Sequence, residues 1–268
     1  EGAAPAGVPA VPPDRGAVVA DATAAEAVAA HVTPATTGAD AAAHRFEERV
    51  AAFAAQLEQA QVEVLVRLAR AAECRDDSTG RHAERVGYLA GLLAELVGLD
   101  QSSVGRITMA ASLHDVGKIG LPDAILNKPD TLTPAEREIM MRHCEAGAEL
   151  LAGSRNPLLE EAEAIAHHHH ERWDGRGYPD GLAGADIPLS ARITAVADAY
   201  DSLTHLRPSR AALSSDEALV LIQKERNGQF DPTVVDALLA LAGDDRLADE
   251  AADFVGGLWG ISLPPSQG

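Results

Sequence analysis

The residues most suited to chemistry are a histidine and an aspartate that stand side by side, His114 and Asp115, with Lys118 three positions after the aspartate. A neutral imidazole nitrogen and a carboxylate oxygen together suit a borderline divalent metal such as iron, manganese or zinc. Alone, the two residues are weak evidence, because a His-Asp step is more often a helix cap or a surface pair. The prediction of a metal site therefore depends on what the rest of the chain supplies.

Further nitrogen and oxygen ligands occur at separate points along the chain. His82 lies upstream and His143 downstream, followed by the run His167 to His170 and by Asp198 in an apolar helical turn. Each could instead be a cap or a solvated side chain, and the run could be a tag remnant, although its internal position argues against that. An unpaired carboxylate is costly to bury, so a cation partner is the cheaper interpretation for Asp198. With His114 and Asp115, these residues supply roughly enough ligands for two metal ions with open positions for water.

A glycine-rich stretch from Trp173 to Gly181 follows the histidines. Its Asp-Gly and Gly-Tyr-Pro steps predict a series of turns. Beside a metal site, such a loop could close over a ligand. The alternative is a plain surface loop, which would not usually contain both tryptophan and tyrosine.

The composition limits both fold and function. The 268 residues allow one or two domains, and 46% of them are hydrophobic but only 3% aromatic, so alanine and leucine must fill the core and packed helices are favoured. A net charge of −19 argues against a nucleic-acid polymer as partner, although a small anionic ligand is compatible with locally gathered arginines and lysines.

The two cysteines form no disulfide framework, which fits a reducing cytoplasm. Neither a signal peptide nor an apolar run of about 20 residues is visible, so a cytoplasmic location without a membrane segment is expected. The chain does not begin with Met, which leaves open a missing part with an anchor or a sensor.

The N-terminal third predicts a linker followed by a long helix. Residues 1–43 are rich in alanine and proline and are predicted to be a disordered linker, with a short helix over 17–30. Over residues 44–74, apolar side chains recur at alternating steps of four and three, which predicts a linker or coiled-coil helix. The seam comprises Phe46, Val50, Phe53, Leu57, Ala60 and Val64. It indicates either a helix packed on its own domain or a stalk that pairs two chains.

The remaining residues predict an all-α domain over 75–242 and a weakly packed tail over 243–268. Capping signals mark several helix starts, for example Thr133 with Glu136 and Ser214 with Glu217. The predicted helices are 82–97, 103–116, 133–151, 158–170, 189–205, 214–226 and 231–242. In this prediction His114 and Asp115 lie near the end of one helix.

The motifs around these residues resemble those of HD-GYP domains, the bacterial branch of the HD superfamily of metal-dependent phosphohydrolases. The matching stretches are His114 to Asp123, His169 to Pro179, Ala191 to Ile193 and Val196 to Thr204, and the resemblance covers roughly residues 70–240. It implies an all-α helical bundle of the HD-GYP type, preceded here by the long N-terminal helix. The implied activity is hydrolysis of the bacterial second messenger cyclic di-GMP to linear pGpG, to GMP, or to both.

The resemblance also assigns roles to individual residues. The implied metal ligands are His82, His114, Asp115, His143, His169, His170 and Asp198. Asp115 would bridge two ions and Lys118 would face the scissile phosphate, which makes these two the catalytic candidates. The substrate-binding candidates are Asp76, Lys118, Gly177, Tyr178, Pro179, Arg207 and Arg210. His167 and His168 are extra histidines without an implied role.

Two departures from the family pattern affect these expectations. Ser209 stands where the family commonly has Tyr on the ligand, while Arg210 for Lys keeps the charge. Ser78 stands where some members have a Glu that supports a third metal, so two divalent ions, iron or manganese, are expected and a third is doubtful. A hydroxide bridging the two ions would then attack the phosphorus in line, with Lys118 stabilising the developing charge.

Two other functions are kept as alternatives. The chain could be a catalytically weak module that binds a cyclic dinucleotide and relays a signal through the 44–74 helix, or an HD phosphohydrolase that acts on another nucleotide or a hybrid cyclic dinucleotide. Expected partners are cyclic di-GMP, a second copy of the chain through the 44–64 helix, and an upstream sensor or receiver domain or a GGDEF-type protein.

Overall fold

The computed structural model describes residues 33–73, 75, 81–205 and 211–243, and these residues are helical with connecting turns. Within those ranges no strand forms, and a single isolated bridge joins Arg226 to Phe230. The all-α prediction is therefore confirmed. The chain divides into two compact units, residues 1–57 and 58–268.

The helices are numbered α1 to α10 along the described residues. Their bounds are α1 Thr33–Glu73, α2 His82–Leu96, α3 Gln101–Ala111, α4 Asp123–Leu126, α5 Pro134–Met141, α6 His143–Leu151, α7 Pro157–His168, α8 Leu189–Thr204, α9 Ser215–Lys224 and α10 Pro232–Gly243. Two short 3₁₀ turns cover Val116–Gly120 and Gly184–Asp186.

The described part of the first unit is helical and presents the first four side chains of the predicted seam, Phe46 to Leu57, to solvent. Helix α1 begins at Thr33, well before the expected start at residue 44, with a proline in its first turn where a missing amide donor costs nothing. The seam side chains are exposed: the exposed fraction is 66% for Phe46 and 69% for Phe53. The short helix expected over 17–30 lies outside the described residues, as does the tail beyond 243.

The core of the second unit lies among α2, α3, α7, α8 and α10. It is built from aliphatic side chains and alanines, as the composition predicted. Fully buried members include Val86, Leu93, Ala110, Ile165, Ala166, Ile193, Ala197 and Leu238. Small alanines on facing helices let the backbones approach closely, and the histidines that lie at the ends of these helices are thereby brought to one region.

Several predicted helices end earlier than predicted, and three of these differences concern candidate ligands. Helix α7 ends at His168 and not at 170, so His169 and His170 follow it. Helix α3 ends at Ala111 and not at 116, because the amides of Leu113 and His114 bond three residues back and tighten the chain into turns. The expected 133–151 helix is two helices that break at Arg142, whose amide likewise bonds three residues back to Ile139. A continuous helical pattern in the sequence conceals both breaks.

The helix starts follow the capping signals closely. Thr133 with Glu136 and Ser214 with Glu217 both form reciprocal capping boxes at the first residues of α5 and α9. None of the helices among the described residues combines the length and the apolar character needed to cross a bilayer.

Candidate metal centre

Three of the predicted ligands are histidines whose rings lie at the C-terminal ends of helices: His114 and His169 follow α3 and α7, and His143, the first residue of α6, lies next to the end of α5. The last carbonyls of a helix have no partner within the helix and can accept a side-chain proton. His114 Nδ1 lies 2.9 Å from Ala111 O, His143 Nδ1 lies 2.6 Å from Met140 O, and His169 Nδ1 lies 3.1 Å from the carbonyl oxygens of both Ile165 and Ala166. A carbonyl only accepts, so each Nδ1 carries the proton and each Nε2 keeps its lone pair.

His82 is oriented by a carboxylate instead of a carbonyl. Its Nδ1 lies 2.6 Å from Asp201 Oδ2, and Asp201 is itself held by Arg85 through contacts of 2.6 Å and 2.9 Å. All of these groups lie in the second unit, on α2 and α8. A carboxylate behind a histidine fixes the ring and the tautomer, which is the usual support of a metal-ligating imidazole.

The free nitrogen atoms converge on two carboxylates. Asp115 Oδ2 lies 3.3 Å from His114 Nε2, while Asp115 Oδ1 lies 3.3 Å from His143 Nε2 and 3.7 Å from His169 Nε2. His82 Nε2 lies 3.2 Å from Asp198 Oδ1. Asp115 thus turns one oxygen towards each of two groups of histidines.

This arrangement fits divalent cations. His143 Nε2 and His169 Nε2 lie 3.4 Å apart although neither carries a proton in the assigned tautomer, so their lone pairs repel unless a cation lies near both. Among the ligand atoms of this centre, three further buried atoms have no hydrogen-bond partner within the described residues: His82 Nε2, His114 Nε2 and Asp115 Oδ1. Atoms around one ion at metal–nitrogen distances of about 2.1 Å are separated by about 3.0–3.4 Å, close to the observed spacings.

The potential metal ligands of this centre form two groups by proximity. One comprises His82, His114 and Asp115, and the other comprises His143, Cys144, His169 and His170. His170 belongs to the second group, and the centroid of its ring lies 4.1 Å from that of the His169 ring. The described residues therefore contain His/Asp clusters able to hold metal ions.

The protonation states of the ligands differ across the centre. Burial lowers the pKa of His143 to about 4, so this imidazole is neutral at pH 7. Burial would raise the pKa of Asp115, but the charge of Lys118 and the neighbouring ring of His114 outweigh it and hold that pKa well below the usual value. Burial would likewise lower the pKa of His82, but the negative charges of Asp198 and Asp201, the latter bonded to Nδ1, outweigh it and raise that pKa to about 10. A cation that binds His82 must therefore displace a proton.

A glycine sets the position of Asp115. The 3₁₀ turn that follows Asp115 packs against α6 so closely that a Cβ on Gly117 would lie 1.9 Å from His143 O and 2.4 Å from Gly147 N. Only glycine permits this approach, which holds Asp115 beside His143.

The glycine-rich loop is attached on both sides. Trp173 N and Asp174 N donate to Gln229 O and Gly228 O at 3.0 Å and 2.9 Å, and Glu171 Oε1 accepts from the amides of Asp180 and Gly181 at 2.7 Å and 3.0 Å.

Within this loop, the ring of Tyr178 lies against His170 with centroids 4.9 Å apart. The predicted substrate-binding residue Tyr178 is therefore adjacent to the centre, and Gly177 and Pro179 flank it in the chain.

The structure brings together His82, His114, Asp115, Lys118, His143, His169, His170 and Asp198, and Lys118 Nζ lies 2.7 Å from Asp115 Oδ2. The predicted residues Asp76, Arg207 and Arg210, together with Ser78, lie outside the described residues.

Sequence reasoning missed three residues of this region. The first is Asp201, although its spacing of three from Asp198 places both carboxylates on one helix face and could have signalled it. The second is Glu171, which holds the loop. The third is Cys144, whose Sγ lies 3.5 Å from His143 Nε2; burial raises its pKa, so it remains a thiol and a poor ligand.

Comparisons with known proteins identify a family, whose model spans this centre, and several relatives. Residues 67–234 match the family model of the HD domain. The chain is 49% identical over 193 residues to the cyclic di-GMP phosphodiesterase response regulator RpfG of Xanthomonas campestris pv. campestris, covering 72% of this chain and 51% of the relative. It is 41% identical over 183 residues to 3'3'-cGAMP-specific phosphodiesterase 2 of Vibrio cholerae, covering 68% of this chain and 35% of the relative. The chain thus spans about half or less of the length of these relatives.

A solved structure shares the fold. The crystal structure of a cyclic GMP-AMP-specific phosphodiesterase of Vibrio cholerae, V-cGAP3, superposes with a TM-score of 0.56 at 20% identity, covering 77% of this chain and 54% of that chain. At this identity, the similarity shows a shared helical fold and nothing more.

Proposed function

The chain belongs to the HD domain family, in its HD-GYP branch, and we propose that it is a metal-dependent phosphodiesterase that hydrolyses cyclic di-GMP to linear pGpG, to GMP, or to both. The observation that carries the proposal is the convergence of four oriented histidines and two carboxylates in one buried centre. The choice of substrate is supported by the 49% identity to a relative named as a cyclic di-GMP phosphodiesterase.

The proposed centre takes two divalent ions, iron or manganese. Asp115 is the residue suited to bridge them, because its two oxygens face different histidines. Imidazole and carboxylate ligands without a thiolate favour these metals over softer ones. The chemistry supplied by such a pair of ions is the lowering of the pKa of water and the polarisation of a phosphoryl oxygen.

The remaining tasks fall to side chains of this protein. Lys118 places a fixed positive charge next to Asp115, where negative charge grows on the phosphoryl oxygens during attack. Tyr178, lying against His170, offers a ring face and a hydroxyl at the rim of the centre for the nucleotide. Asp76, Arg207 and Arg210 complete the proposed contacts, the two arginines binding the phosphates of the substrate.

We also propose that two copies of the chain pair through the 44–64 segment of α1. A row of large apolar side chains at heptad spacing is exposed there, including Phe46, Val50, Phe53, Leu57 and Val64 at 53–69%. Exposed apolar rows of this kind are typical of coiled-coil seams. A second copy of the same helix presents the complementary row.

The substrate proposal is tested by turnover with purified nucleotides. Protein loaded with manganese or iron without oxygen is incubated with cyclic di-GMP, with the hybrid 3'3'-cGAMP, and with linear pGpG, and the products are separated by chromatography. We expect cyclic di-GMP to be hydrolysed with the highest kcat/KM. A preference for 3'3'-cGAMP would favour the activity named for the 41% identical relative. Binding without turnover under every metal condition would support the signalling-module alternative.

A further inference from the structure

We propose that His167, His168 and Asp180 form a separate binding site for zinc, which ties the end of α7 to the glycine-rich loop. His167 Nε2 lies 3.1 Å from Asp180 Oδ2, and His168 Nδ1 lies 3.6 Å from the same oxygen. One ligand atom from each residue lies within 4.8 Å of the other two. This group shares no residue with the two groups of the candidate metal centre.

The donor set points to zinc. Two imidazoles and one carboxylate are ligands that zinc takes in proteins, and the position or positions left open by three protein ligands are filled by water. A magnesium or calcium ion would instead require a shell made mostly of oxygen atoms. Imidazole with a carboxylate suits zinc, and the variants below test for zinc itself.

A buried nitrogen atom of His168 without a hydrogen-bond partner in the described part of the chain is further evidence that a cation binds here. His168 Nδ1 is buried and has no hydrogen-bond partner among the described residues, although an acceptor oxygen of Asp180 lies just beyond bonding distance. A buried polar atom without a partner is costly, and a cation between the two atoms would remove that cost. A simple ion pair between His167 and Asp180 leaves His168 unexplained.

The site is held in position before any ion binds. Asp180 is fixed because its own amide donates to Glu171 Oε1 at 2.7 Å, and the neighbouring amide of Gly181 donates to the same oxygen. His167 and His168 end α7, and their rings lie edge to face with centroids 4.5 Å apart. The side chain of Asp180 is 49% exposed, so an ion can enter from solvent.

Zinc at this site would stiffen the part of the protein that lies next to the candidate metal centre. The ligands Asp180 and His168 are close in sequence to Tyr178 and His170, which are in ring contact. Binding would join the helix end to the loop by coordinate bonds, in addition to the Glu171 hydrogen bonds. We therefore expect the loop amides to become better protected when zinc is present.

The experiment counts total metal on the full chain. Protein preloaded with manganese is titrated with zinc chloride and passed through a desalting column, and zinc plus manganese per chain is measured by mass spectrometry for wild type, His167→Ala/His168→Ala and a control, His44→Ala. His44 is an exposed histidine of α1 outside the cluster. We expect wild type and control to exceed the double variant by about one ion per chain. Equal totals in all three proteins would overturn the proposal, whether or not the candidate metal centre is occupied.

A conservative variant separates loss of the ion from damage to the fold. Asp180→Asn keeps an oxygen that can accept from His167 but removes the charge, and we expect zinc affinity to fall by more than about tenfold, or about 1.4 kcal/mol. Hydrogen exchange of the amides over residues 173–186 should slow with zinc in wild type and not in Asp180→Asn. Identical zinc affinity and identical exchange in the two proteins would contradict the site.

Discussion

Asp201 Oδ2 lies 2.6 Å from His82 Nδ1, and the same carboxylate receives two hydrogen bonds from Arg85. The contact leaves His82 Nε2 directed at Asp198, 3.2 Å away, inside the proposed metal centre. Asp201 is buried, so its charge is exposed to little screening by solvent. It is a positioning residue: it acts on the centre through the orientation and basicity of His82.

The variant Asp201→Asn tests this role. The amide preserves the shape of the side chain but binds His82 and Arg85 less strongly, so we expect metal affinity or kcat to fall by roughly 10- to 100-fold. Titration with manganese, monitored by electron paramagnetic resonance, measures the metal affinity separately from turnover. The matched control is Asp236→Asn, since Asp236 pairs with Arg226 on the surface and should change neither quantity. A manganese affinity and a kcat that both stay unchanged in Asp201→Asn would remove the positioning role.

Metal binding should depend on pH through His82. In the metal-free protein the pKa of His82 is raised to about 10, so the imidazole is charged at neutral pH, whereas the pKa of His143 is lowered to about 4 and that ring is already neutral. Loading must release the His82 proton, and affinity should rise about tenfold per pH unit between about pH 6 and 8 for one proton. Calorimetry in buffers of different ionisation enthalpy counts the released protons. Affinity independent of pH would show that His82 does not bind the metal.

The same pKa has the opposite consequence for the metal-free fold. A group whose pKa is raised in the folded state stabilises that state fully below its unfolded value of 6.5, and the contribution is lost as the pH rises through about 10. Metal-free and metal-loaded protein should therefore differ most in stability at alkaline pH.

Gly117 is predicted to be intolerant of even a methyl group. A Cβ would collide with the backbone of α6 at His143 and Gly147, so Gly117→Ala should lower the free energy of unfolding by roughly 1–3 kcal/mol and shift Asp115. Gly105→Ala is the matched control, because Gly105 lies on α3 with nothing within 4 Å of an added Cβ. Alanine in that exposed helical position should stabilise by up to about 1 kcal/mol. Urea unfolding of both variants checks the two signs, and equal midpoints would contradict the close approach.

Pairing through the seam of α1 is tested by one charged substitution. Phe53→Glu places a carboxylate in the middle of the exposed seam and should convert a dimer to a monomer in light scattering. Ala55→Glu adds the same charge on the opposite side of the helix and should leave the dimer intact. A wild-type protein that is monomeric at every concentration would contradict pairing of two copies through the seam.

Much of the helical framework could be read from local signals, because caps and apolar periodicity are encoded within a few residues. Thr133 with Glu136 and Ser214 with Glu217 mark helix starts in both sequence and structure. The break at Arg142 could not be read, since it depends on packing that the helical pattern does not record.

The site was predictable to the extent that its ligands lie in contiguous motifs. Asp201 orients His82, which lies far from it in the sequence. The two residues meet only because α2 packs on α8, so neither local motif indicates the contact. His167 and His168 were left without a role for the same reason, because Asp180 reaches them only through the fold of the loop.

The most direct test of the account is the effect of Asp115→Ala on metal content and turnover together. Asp115 is the carboxylate that faces both groups of histidines, so its loss should remove or misplace the ions and lower kcat/KM for cyclic di-GMP by about 10³-fold or more, or about 4 kcal/mol. The exposed Asp130→Ala serves as the control and should match wild type. Elemental analysis of wild type prepared without oxygen should give about two ions per chain. Hydrolysis of cyclic di-GMP by Asp115→Ala at the wild-type rate would contradict the metal-dependent mechanism.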